Sequence, residues 1–226
     1  HDGSWSADKY RLEHAAESNF DPAIKHFNES MIYDGLQIHI INDQYDDISA
    51  YRLISNGELP FNTTIKNNII RGTITGGDPN YGINDTITLS ECNTYIYNNV
   101  IYGFNNVYDD KAVFINSNES VYLYNNTVYD NAFGYRTEAG SNVLAYNNIA
   151  QNSSSTNGFS GSFVAASDHN ISDIAGDAPN LTFSTSSISV DFVSTASGTE
   201  DFHLASSDTA AKNAGVDLSN DEYLPI

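Results

Sequence analysis

Tyr95-Ile96-Tyr97-Asn98-Asn99-Val100-Ile101 and Tyr122-Leu123-Tyr124-Asn125-Asn126-Thr127-Val128 repeat one pattern: alternating residues, an Asn pair, then a further apolar pair. Two more copies flank them, Thr64-Ile65-Lys66-Asn67-Asn68-Ile69-Ile70 and Leu144-Ala145-Tyr146-Asn147-Asn148-Ile149-Ala150. Asp168-His169-Asn170-Ile171 is a weaker copy, and Leu36-Gln37-Ile38-His39-Ile40-Ile41 reads as a first copy without Asn. From Asn67 through Asn98 and Asn125 to Asn147 the steps are 31, 27 and 22 residues. The shortest step suits one coil of three short strands, and the longer ones suit the same coil with inserted loops. Each segment is too short to bury its own apolar face, so the copies must stack into a continuous core. Parallel stacking sets equivalent positions about 4.8 Å apart. Two columns are expected to line that core: Ile65, Ile96, Leu123 and Ala145, and Ile69, Val100, Thr127 and Ile149. The second Asn of each pair (Asn68, Asn99, Asn126, Asn148) is expected at the bend, where Asn tolerates a left-handed backbone. Stacked Asn side chains can also hydrogen-bond along the pile.

The Asn-Asn pair between alternating apolar residues, with Tyr33-Asp34-Gly35-Leu36-Gln37-Ile38 ahead of it, resembles the right-handed parallel β-helix proteins of the pectate-lyase-like superfamily. The resemblance covers about residues 32–190. It implies an all-β solenoid of about six to eight coils. The stretch 201–215 is similar to the segment that ends such helices, which implies that Phe202 and Leu204 cover the last coil. The resemblance is specific for fold and poor for function, because this scaffold hosts lyases, hydrolases, adhesins, tailspikes and inert spacers.

A length of 226 residues suits one domain with a single core. Residues 1–31 are read as an N-terminal cap or incomplete first coil, and 32–226 as the parallel β-helix with its closing segment. Around Lys9–Glu17 a helix and a strand through Tyr10-Arg11-Leu12-Glu13 are both open. Nine Lys and Arg against a net charge of −20 disfavour nucleic acid and anionic membranes as partners. Cys92 is the single cysteine, which excludes an intrachain disulfide and a Cys-based zinc site. No apolar run is long enough for a transmembrane helix. The chain opens at His1 without a signal peptide and reads as a mature or excised piece, so an extracellular or cell-surface location is inferred from composition.

Counting 11 and 13 residues on from the first Asn of the second and third Asn-pair copies brings Asp109 onto Arg136 and Lys111 onto Glu138. Surface salt bridges that fix register are one reading of this patch. The other is a polysaccharide site in which Lys111 or Arg136 acts as base or neutralises a carboxylate. Asp46-Asp47 and Asp109-Asp110 are the pairs a glycoside hydrolase would need, although adjacent Asp residues commonly serve turns. With Asp43 and Asp85 they also make calcium the one cofactor to consider; no calcium-loop spacing accompanies them. Two tyrosine columns, Tyr97, Tyr124 and Tyr146, and Tyr102 and Tyr129, would platform sugar rings if they face outward, or else stabilise the sheet by cross-strand stacking. His39 and His169 align with the Asn columns as turn or ladder residues. Together these features favour a non-catalytic extracellular module, structural or adhesive, contacting carbohydrate, forming fibres or meeting neighbouring modules. The competing class is a lyase or glycoside hydrolase acting on acidic polysaccharide.

Overall fold

A computed structural model describes residues 4–6, 10–55, 59–106, 109–153, 157–180, 182 and 184–221. The described residues form strands and no helices. Strands β1 (Leu12–Ala15), β2 (Pro22–Phe27) and β3 (Met31–Asp34) make the first coil. The second is β4 (Gln37–Asp43), β5 (Ile48–Ile54) and β6 (Asn62–Lys66), and the third β7 (Ile69–Gly76), β8 (Asn80–Thr86) and β9 (Asn93–Tyr97). The fourth holds β10 (Val100–Tyr102), β11 (Lys111–Ile115) and β12 (Ser120–Tyr124), and the fifth β13 (Thr127–Tyr129), β14 (Phe133–Thr137) and β15 (Asn142–Tyr146). The sixth holds β16 (Ile149–Gln151) and β17 (Phe159–Ser160), with Asp168 bridging to Tyr146 where a third strand would lie. β18 (Ile171–Ser172), bridged to Thr185, begins a seventh. Like strands of successive coils pair in parallel into sheet I (β1-β4-β7-β10-β13-β16-β18), sheet II (β2-β5-β8-β11-β14-β17) and sheet III (β3-β6-β9-β12-β15). The protein is an all-β parallel β-helix. Of the two readings open for its beginning, the strand forms at Leu12–Ala15.

Ile65, Ile96, Leu123 and Ala145 stack in register inside the pile and are fully buried. The second expected core column is corrected by one residue. Ile70, Ile101, Val128 and Ala150 point into the core, while Ile69, Val100, Thr127 and Ile149 lie on the outer side of sheet I. The cause is the bend. Asn67, Asn98, Asn125 and Asn147, the first of each pair, take the left-handed backbone at φ 54–56°, and one such residue resets the inside-outside alternation of the strand after it. Gly35 and His169 hold the same position in the first and sixth coils. His39 does not align with them; it sits in β4 beside Arg71.

The second Asn residues, expected at the bend, point inward instead. Asn68, Asn99, Asn126, Asn148 and Asn170 form a buried ladder in which each Nδ2 donates to the next Oδ1 at 3.0 Å. The same oxygens accept the backbone N–H of the preceding coil's Asn at 2.9–3.0 Å, and each Nδ2 also reaches a carbonyl one coil back. Leu36 N–H closes one end and Ser184 Oγ the other.

Beyond the stack the chain turns back along its flank. β19 (Phe192–Ser194) and β20 (Asp201–Leu204) pair antiparallel and lay Phe192 and Phe202 against Ile69, Val100, Tyr102 and Tyr129. Phe202 therefore packs along the side of the third to fifth coils, because its ring finds the outward apolar column of sheet I, and with Leu204 it lines a groove beside Ile149 and Ile171 of the sixth and seventh coils. Ser4 bridges to Asp201 and Trp5 lies against His39.

Candidate functional site

The outer side of sheet II carries the charged residues singled out from the sequence. Their backbone register is not the expected one: Phe114 pairs with Arg136, and Lys111 with Phe133. The segments joining sheet I to sheet II differ in length, 77–79, 103–110 and 130–132 in successive coils, so a constant count from the Asn pair fails. The side chains converge nonetheless. Asp109 takes Lys111 Nζ at 2.8 Å and Arg136 Nη1 at 2.9 Å, and Arg136 Nη2 lies 3.4 Å from Glu138 Oε1. The expected Asp109–Arg136 pair thus exists, while Lys111 turns to Asp109 rather than to Glu138.

Lys111 is 2% exposed, with Nζ 5.0 Å from the ring centre of Tyr81, 5.3 Å from Phe114 and 5.9 Å from Phe133. Burial lowers its pKa, and the hydrogen bond and charge of Asp109 oppose that shift. Arg136 lies 5.1 Å over Phe133. One coil toward the N-terminus from Tyr81, Arg52 pairs with Asp47 at 3.2 Å and covers Phe20, and Asn84 donates to Asp47. Burial, together with the nearby Asp109 charge, raises the pKa of Asp78 beside this cluster.

The adjacent acids divide by role. Asp110 is fully buried at the corner between sheets I and II, accepting Asn80 N–H and Nδ2 at 2.8 Å and Asn106 N–H at 3.1 Å. Asn42 Nδ2 donates to Asn80 Oδ1, which extends the file by a coil. Burial pushes Asp110 up to about 7. This second polar ladder was missed from the sequence; its signal, Asn80 and Asp110 at the starts of equivalent strands, is hidden by the unequal loops. Asp109 remains half-exposed, so Asp109 and Asp110 do not form a facing pair. Asp47 takes a left-handed turn at φ 61°, and Asp46 accepts Asp78 N–H. Among the described residues no group of three or more His, Cys, Asp and Glu is placed to hold a metal ion, and no helix is long and apolar enough to cross a membrane.

Both tyrosine columns face outward, yet the chain itself covers most of them. Tyr97 and Tyr124 are buried in a cluster with Leu218 of the returning C-terminal segment, and Tyr146 packs at its edge. Asn147 secures that segment by exchanging hydrogen bonds with the backbone of Val216. Tyr102 and Tyr129 lie against Phe202 at 5.0 and 5.4 Å. The expectation of an open sugar platform on Tyr97, Tyr102 and Tyr124 is therefore corrected: apolar residues of the returning segment occupy the rings' outer surfaces.

Chemically, the sheet II cluster can stack and hydrogen-bond. Proton abstraction needs a base within reach of substrate, and the Lys111 amine is enclosed by three rings and a carboxylate. Comparison with protein-family models, with curated proteins and with solved structures finds no significant match.

Proposed function

We propose that this chain is a non-catalytic module of an extracellular or cell-surface protein, structural or adhesive, that meets a polysaccharide or a neighbouring module on the outer side of sheet II. The enclosure of Lys111 carries the reading: the amine best suited to β-elimination is fixed as the centre of an aromatic and ionic cluster. Around it, Phe133, Arg136, Glu138 and Ser160 line an open groove of about 440 Å³. Such a surface offers a ring, a guanidinium and a carboxylate without an approachable base. The buried Asn ladder supports the same reading, since it braces the stack along its length. The parallel β-helix architecture supports a likeness to the pectate-lyase-like superfamily in fold alone.

The test is release of unsaturated uronates from acidic polysaccharides with added Ca²⁺, alongside pull-down by insoluble polysaccharides. The parent protein is expected to release none and to be retained on at least one polysaccharide, with retention reduced in Arg136→Ala. Product release that is lost in Lys111→Ala and Arg136→Ala would make the protein a polysaccharide lyase and overturn the proposal.

A further inference from the structure

A second cleft, on sheet I rather than sheet II, lies between the outer side of sheet I and the β19–β20 hairpin. Its volume is about 280 Å³. Arg71 on β7 and Glu200 before β20 face each other across it with Nη2 and Oε1 3.9 Å apart, too far for a hydrogen bond. Arg71 makes no side-chain hydrogen bond among the described residues; its guanidinium rests 5.6 Å over Trp5. Glu200 is 6% exposed, and its other oxygen accepts Gly198 N–H. Tyr102, 5% exposed, lines the same cleft, and its hydroxyl has no hydrogen-bond partner among the described residues. Tyr129 and Phe202 form the apolar wall.

The Arg71 guanidinium and the Glu200 carboxylate thus meet in the cleft as a loose ion pair with no hydrogen bond between them. A group that both donates and accepts fits between them, which is the property of a hydroxyl. Two neighbouring hydroxyls would engage Arg71 and Glu200 together, with the C–H face of a ring against Tyr129 and Phe202. The charge balance sets the ligand's charge. Glu200 offsets Arg71 and Asp130 adds a further carboxylate at the rim, so an anionic ligand is repelled. The volume, at the lower limit of ligand sites, admits one ring and not a chain. We infer that this cleft binds a single neutral sugar residue, held by Arg71 and Glu200 against the aromatic wall. The inference rests on the carbohydrate-contacting part of the function proposed above but on a different surface.

The experiment is saturation-transfer and chemical-shift NMR on the whole chain with glucose, galactose and mannose, and with glucuronate and galacturonate. At least one neutral hexose is expected to bind with a dissociation constant on the order of millimolar, and the uronates about tenfold more weakly. Arg71→Ala and Glu200→Gln should each weaken hexose binding about tenfold. Tyr102→Phe, which keeps the ring against Phe202, should weaken it less, and a melting curve for each variant guards against misfolding. Silence from every hexose at tens of millimolar, or binding unchanged in folded Arg71→Ala, overturns the inference. Hexose binding lost in Arg136→Ala but kept in Arg71→Ala would sink the cleft while leaving the sheet II reading in place.

Discussion

Asp85 at the end of β8 and Glu119 just before β12 are both fully buried inside the pile, where their carboxyls meet beside the Thr94 hydroxyl and the Cys92 thiol. Asp85 also accepts Ile87 N–H at 3.1 Å. Neither is in an ion pair with a described cation. Burial raises the pKa of each, and the neighbouring Asp85 charge raises Glu119 further, so the pair retains a proton at neutral pH. In the unfolded chain both are ionised above about pH 5. The folded state then binds one proton more than the unfolded state, and stability falls as pH rises, by about 1.4 kcal/mol per pH unit. From pH 7 to pH 9 the loss is about 2.7 kcal/mol, a large part of a typical folding free energy of about 5–15 kcal/mol. Replacing both acids, Asp85→Asn together with Glu119→Gln, keeps the shape and removes the proton, whereas either change alone leaves the other buried carboxyl to hold it. Asp110 and Lys111 also titrate differently on folding, but they do so in both proteins, and the difference between the two curves cancels them. Urea unfolding followed by circular dichroism at pH 7, 8 and 9 is therefore expected to show the variant gaining on the parent by about 1.4 kcal/mol per unit, with unchanged m-values. Parallel curves for parent and variant would show that the pair holds no extra proton and refute the reasoning.

Asn126→Ala removes a ladder member that makes bonds to both neighbouring coils, leaving buried backbone groups unpaired, and should cost about 3 kcal/mol in urea unfolding. Asn98 is the left-handed residue of its pair, so Asn98→Ala should cost about 1–2 kcal/mol by the same assay while Asn98→Gly costs clearly less. Phe202→Ala strips the ring that covers Tyr102 and Tyr129; limited proteolysis is expected to cut within 190–204 faster than in the parent, with the stack's far-ultraviolet spectrum kept.

The repeat made the stack legible because a short apolar segment ending in Asn-Asn has no stable existence except beside its copies. Its inner column at Ile65, Ile96, Leu123 and Ala145 followed from simple alternation. Alternation then misled at Ile69, because one left-handed residue at Asn67 reverses which side the next residues face, and sequence alone did not say which Asn of the pair took that backbone. Asp109 and Arg136 were joined by a count that their loops do not obey. They meet because Arg is long enough to reach across a register offset, so the pair was found while its register was wrong. Nothing local marked the Asp85–Glu119 pair. Glu119 precedes its strand in a stretch, Asn116-Ser117-Asn118-Glu119, that reads as a solvated turn, and only the closing of sheets II and III around it removes it from water.

The returning C-terminal segment decides which flank of the solenoid is available. Its contacts are non-local: Phe202 meets Tyr102 across 100 residues of sequence, and Leu218 meets Tyr97 across 121. Without it, sheets I and III would present aromatic columns to water, a patch of the kind that marks an interaction surface. With it, those rings become the adhesive between the chain and its own tail. Sheet II keeps an outer column of Lys25, Arg52, Asn84, Phe114, Arg136 and Ser160, polar except at Phe114 and in register from coil to coil. Of its charges, Arg52 is paired with Asp47, and Arg136 with Asp109 and Glu138. The tail also creates what the bare stack lacks: Glu200 reaches Arg71 only because β20 is laid along sheet I. A ligand in that cleft would bridge the tail and the stack, so its binding free energy would add to the hold of the hairpin. Protection of 190–204 from protease by a bound hexose, absent in Arg71→Ala, follows from that geometry.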